Sequence, residues 1–134
     1  MMTDDEKYEY WLEAAEYDLG TADTLYVGGR WLYVVFMCQQ AIEKLVKALY
    51  ILYVDDEIPR IHNITKLVKY FEGKLPVGIP HDRYDLFDRL STFYLNNWYP
   101  DAISKIGAQV TESVAGAVLT ETKGAFAWLL TLKP

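Results

Sequence analysis

Over two long stretches of this chain apolar residues recur every three or four positions, and nowhere do they alternate. That spacing restricts the fold to helices packed on helices. From Asp4 to about Tyr26, the residues Tyr8, Trp11, Leu12, Ala15, Leu19, Ala22 and Leu25 fall on one helical face. Thr3 or Asp4 suits the N-cap, and Gly28 and Gly29 end the helix because glycine accepts the left-handed turn that a helix C-terminus often needs. The short turn predicts an antiparallel return. A second helix from Arg30 or Trp31 to about Val54 would be about 36 Å long at 1.5 Å per residue, the spine of a bundle. Asp55, Asp56 and Glu57 break its pattern, and Pro59 prevents its resumption.

Beyond the spine the elements shorten. Ile64, Leu67, Val68 and Phe71 mark a third helix with Asn63 as N-cap and Gly73 as stop, and the Pro- and Gly-rich residues Leu75 to Asp82 read as loop. Leu86, Phe87, Leu90, Phe93 and Tyr94 indicate a fourth helix that ends before Pro100, with Asn96 and Asn97 at its exit. After an irregular stretch, Thr111 caps a last helix whose inner face holds Val114, Ala117, Val118, Ala125, Trp128, Leu129 and Leu132. The expectation is an all-α, antiparallel up-and-down four-helix bundle with an additional short helix, one domain over residues 1–134.

At 134 residues, 51% hydrophobic and 24% charged, the chain has the composition of one compact core rather than of a disordered segment. The single cysteine, Cys38, rules out an internal disulfide and points to a reducing, cytoplasmic setting. No apolar run is long enough for a membrane span, and the N-terminus does not read as a secretion signal. The net charge of −6 argues against general DNA or RNA binding, which draws on an excess of Lys and Arg. The 11 Tyr and 4 Trp exceed what a small core needs, so part of them is expected at a homodimer or partner interface.

One polar stripe interrupts the spine. Gln40, Lys44 and Lys47 share a face of the second helix, flanked by Gln39 and Glu43, while Phe36, Cys38, Ile42, Leu45, Val46, Leu49 and Tyr50 surround it. The bland reading is a solvated face with a Glu43–Lys47 pair; the functional one is a strip for phosphate or partner binding. Gln39 and Gln40 have a further alternative as interhelical hydrogen-bond partners. Two histidines and one cysteine give no metal-ligand spacing, and no P-loop, Gly-rich dinucleotide motif or nucleophile elbow is present.

Four segments carry a resemblance to a known family: Trp11 to Leu25, Gly29 to Leu49 with its QQAIEKLVKA run, Pro59 to Leu67, and Asn96 to Asp101. On these the chain resembles the HEPN domains, whose relatives include the C-terminal helical domain of kanamycin nucleotidyltransferase and nucleotidyltransferase substrate-binding subunits. The chain departs from the family pattern at His62-Asn63-Ile64, where relatives often read His-Asp-Leu, and at Trp98, where they often carry Arg. Many HEPN proteins are metal-independent ribonucleases with an Arg, four to six residues, then a His. Arg60 stands two positions before His62, and no Arg precedes His81 at that interval.

The resemblance therefore implies a non-catalytic, cofactor-free protein that binds nucleotide or partners a minimal nucleotidyltransferase, as a substrate-binding subunit or half of a toxin–antitoxin-like pair. An RNA-binding ribonuclease and a purely structural homodimer are the alternatives. The residues implied for nucleotide or partner binding are Gln40, Glu43, Lys44, Lys47, Arg60, His62, Tyr99 and Asp101. For His62 the bland reading, a backbone hydrogen bond that caps or orients the third helix, is preferred; a functional role needs Arg60 or Lys66 beside it. Tyr99, Pro100 and Asp101 are read mainly as shaping the exit from helix four.

Overall fold

The computed structural model describes residues 1–95 and 98–134. Among them the protein is all-helical: α1 (Asp4–Val27), α2 (Trp31–Tyr53), α3 (Ile64–Lys69), α4 (His81–Ser91), α5 (Pro100–Gly107) and α6 (Glu112–Leu130), with a 3₁₀ turn at Glu72–Lys74. The all-α bundle expected from the periodicity is the one that forms. Asn96 and Asn97, the expected exit from helix four, lie outside the described residues.

Local chemistry explains the boundaries. Thr3 caps α1 through a reciprocal pair in which its hydroxyl accepts from the Glu6 amide and its own amide donates to the Glu6 carboxylate. The turn into α2 needs Gly29, whose φ of +75° lies in the left-handed region. Asn63 and Thr111 accept from Lys66 and Val114 amides and start α3 and α6.

Two corrections concern the region around Pro100. Helix four stops at Ser91, earlier than its apolar pattern suggested, and Pro100 does not close that helix but opens α5 as a first-turn residue. A proline's fixed φ and missing N–H suit that position, so the residue read as a stop is a start. Tyr99 accordingly sits at the N-cap of α5 and Asp101 in its first turn, where a carboxylate complements the helix dipole. A third correction is the inner face of α6, where Ala115, Leu119 and Phe126 are buried while Val114 and Ala117 face outward.

The core is one contiguous cluster centred on α2, whose Val34, Val35, Cys38, Ala41, Ile42, Leu45, Val46, Ala48 and Leu49 are fully buried. The helices α1 and α6 pack along most of α2, with α3 and α4 closing its remaining side. A helix enclosed this way buries most of its side chains, polar ones included, and that sets the terms for the stripe. Among the described residues no helix is long and apolar enough to cross a membrane.

Candidate functional site

The enclosure of α2 draws the polar stripe into the interior. Gln39 is 0% exposed, Glu43 4% and Lys47 8%. Burying a charge is costly unless it is paired and hydrogen-bonded, and here the partners converge on Glu43. Gln39 Nε2 donates to Glu43 Oε1 at 2.6 Å, Lys47 Nζ donates to Oε2 at 2.9 Å, and His62 Nδ1 lies 3.1 Å from Oε2. Gln40 Nε2 in turn donates to Gln39 Oε1 at 2.7 Å. The two amides are thus linked within α2 itself and not across helices.

Lys44 turns to α1, where it pairs with Asp18. Asp18 lies between Ala15 and Ala22 on the core-facing stripe of its helix, and an acid at such a position was the available signal of a buried partner. Sequence reasoning missed it.

His62 does not cap α3; Asn63 does. Its ring is instead oriented by Glu43 and lies on Tyr94, with centroids 3.8 Å apart and 13° between planes. The apolar pattern marks Tyr94 only as a core position of helix four and gives no sign of this stack. Among the described residues His62 Nε2 has no hydrogen-bond partner.

On the other side of Lys47 a cleft of about 350 Å³ opens between the start of α1, the end of α2 and residues 56–60. Lys47, Arg60, Lys7, Trp11, Asp56 and Ile58 line it. Lys47 Nζ stands 5.8 Å from the Trp11 ring centroid, within cation–π range. Lys7 is bonded to Asp56, which holds the Asp56 carboxyl below its usual range and the Lys7 ammonium above its own. The guanidinium of Arg60 is exposed and meets no partner among the described residues, so it is the uncompensated charge of the cleft. A guanidinium beside an indole can take up an anion attached to a flat apolar group.

The structure therefore gathers Gln40, Glu43, Lys44, Lys47 and His62 along α2, and adds Arg60 through the cleft at Lys47. Tyr99 and Asp101 stand apart as exposed residues at the start of α5, and no recorded contact among the described residues joins them to this group. Lys7, Trp11 and Asp56 entered the cleft without any sequence signal, because only tertiary packing brings the start of α1 against the end of α2. No group of three or more His, Cys, Asp or Glu able to hold a metal ion occurs among the described residues.

The sequence matches the HEPN domain family over residues 8–132. The fold is similar to that of TT1696 from Thermus thermophilus, with a TM-score of 0.76 and 24% identity over 93% of this chain and 97% of that one. It is also similar to ST0689, an archaeal HEPN homologue, with a TM-score of 0.71 and 24% identity over 95% of this chain and 98% of that one. No curated protein matches the chain.

Proposed function

The chain belongs to the HEPN domain family, and from that premise we propose that it is a non-catalytic member, one helical domain that binds a nucleotide in the Lys47–Arg60 cleft and partners a minimal nucleotidyltransferase. The observation that carries this reading is the composition of the cleft: a guanidinium with no partner among the described residues, a second cation and an indole share one concavity. Phosphate suits Arg60, and a base suits the apolar wall that Trp11 and Ile58 provide. Glu43 is saturated by its own helix and by His62, so its part is to hold Lys47 and not to meet ligand.

Calorimetric titration with ATP tests the cleft. Binding that falls about tenfold or more in Arg60→Ala supports it, since a charge-assisted bond to phosphate is worth roughly 1.5–3 kcal/mol. Unaltered binding in that variant removes the cleft from the reading. The partner claim rests on the family resemblance and is tested by co-expression with a neighbouring nucleotidyltransferase gene; failure to co-purify would end it. Homodimerisation, motivated by exposed tyrosines such as Tyr17 and Tyr99, is checked by sedimentation. The lone, buried thiol of Cys38 supports a cytoplasmic location.

A second reading draws on a different observation. A histidine fixed by a carboxylate on Nδ1, with Nε2 unpartnered among the described residues, has the arrangement of a general acid or base. Cleavage of an RNA substrate that His62→Ala abolishes would favour this ribonuclease reading over the non-catalytic one.

A further inference from the structure

Residues 58–74 run against the charge of the rest of the chain. In a protein of net charge −6 they hold Arg60, Lys66, Lys69 and Lys74 against the single carboxylate of Glu72. This segment has a cleft on each side. Arg60 lines the one already described, and the next residue, Ile61, lines a second, open cleft of about 450 Å³ with Lys66, Lys69 and Tyr70. The two clefts meet in sequence at Arg60 and Ile61, neighbours that line one cleft each.

The second cleft repeats the chemistry of the first. Lys66 is exposed, and its ammonium has no partner among the described residues, whereas Lys69 is held by Glu72 and lies 4.6 Å from the Tyr84 ring centroid. Tyr70 packs edge-on against Tyr50, with centroids 5.6 Å apart, and remains 54% exposed. Each cleft thus offers one cation unpartnered among the described residues and one aromatic ring. A ligand with one base and one phosphate group fills one such cleft. Only a ligand with two of each uses both.

Resting on the nucleotide reading above, we propose that the two clefts are subsites for one dinucleotide. One base lies along Trp11 and the other on Tyr70. Arg60 takes the bridging phosphate and Lys66 a terminal one. Joining the second base to the first makes its binding intramolecular, so the pair outbinds either half.

Calorimetry on the full chain with AMP and with the 5′-phosphorylated dinucleotide pApA tests this. The dinucleotide should bind about tenfold tighter, the contribution expected of one stacked base. Tyr70→Ala and, separately, Lys66→Ala should each bring pApA toward the affinity of AMP, while Arg60→Ala weakens both ligands. Lys66 is an exposed side chain, so its variant reports even if Tyr70→Ala folds poorly. Equal affinities for AMP and pApA, or a pApA advantage that neither variant reduces, would overturn the two-subsite inference while the nucleotide reading stands. Absence of binding by both ligands would overturn the two together.

Discussion

The imidazole of His62 lies flat on the phenol ring of Tyr94, 3.8 Å between centroids, while its Nδ1 is held by the Glu43 carboxylate 3.1 Å away. The ring is fixed by its face and its edge at once, and it ties the loop before α3 to both α2 and the segment after α4. Proton NMR checks this directly, because the chain has only two histidines and His81 is solvent-exposed. The His62 ring protons should resonate upfield of those of His81, and Tyr94→Leu should remove the difference. Coincident resonances in the parent protein would show that the stack does not form.

Glu43 is the acceptor on which three donors converge. Glu43→Ala leaves Lys47 buried without its partner and strands the Gln39 amide, and breaking a buried pair in this way costs about 3 kcal/mol or more. Urea denaturation should show a large drop in midpoint. The exposed pair Arg89–Glu121 provides the contrast, since Glu121→Ala should cost under about 1 kcal/mol. Equal effects of the two substitutions would contradict the buried network.

Burial pushes the Cys38 thiol up to about 11. At pH 8 the thiolate is then about a thousandth of the population, and the side chain is shielded as well. Iodoacetamide should label the native protein only as fast as it unfolds, with rapid labelling in urea. Prompt labelling of the folded chain would mean that α2 is less enclosed than described.

Acid sensitivity should run partly through Glu72. The Tyr84 hydroxyl donates to its carboxylate and, with Lys69, holds it below its usual value of 4.5. A depressed carboxyl contributes stability above its unfolded value and loses it as pH falls through the folded one. Stability should therefore decline with pH below about 4.5, and Tyr84→Phe should make that decline shallower. Parallel pH profiles for the parent and Tyr84→Phe would remove this bond from the acid response.

Three glycines are expected to answer differently to alanine. Gly20 sits inside α1 with nothing near an added methyl, so Gly20→Ala should stabilise by about 1 kcal/mol. Gly29→Ala should destabilise by a similar amount, about 1–2 kcal/mol, because its φ is +75°. Gly116→Ala would place a methyl 2.8 Å from the Tyr26 hydroxyl, whose ring packs on Trp31, so the helix-propensity gain should be lost to that contact. Thermal midpoints of the three variants test the order Gly20, Gly116, Gly29 from most to least stable.

Much of the fold was legible along the chain because its cues are local. The three-and-four spacing marked α1 and α2, and Thr3, Asn63 and Thr111 announced caps that depend on neighbours three residues away. The short helix α5 was not legible, since a proline reads equally as the stop of a preceding helix and the first turn of the next one. The stripe at Gln39, Gln40, Glu43, Lys44 and Lys47 was visible as a pattern, but its environment was not. Whether a polar face of α2 meets water depends on how many helices surround it, and sequence spacing carries no such count. Packing α1, α3, α4 and α6 around α2 turned much of that face into a buried network, brought Asp18 to Lys44 and His62 to Glu43, and left Arg60 exposed in the cleft beside Lys47. Periodicity settled which segments are helices, and only the closure of the bundle, through the cost of burying unpaired charge, decided which polar groups hold the structure and which face outward.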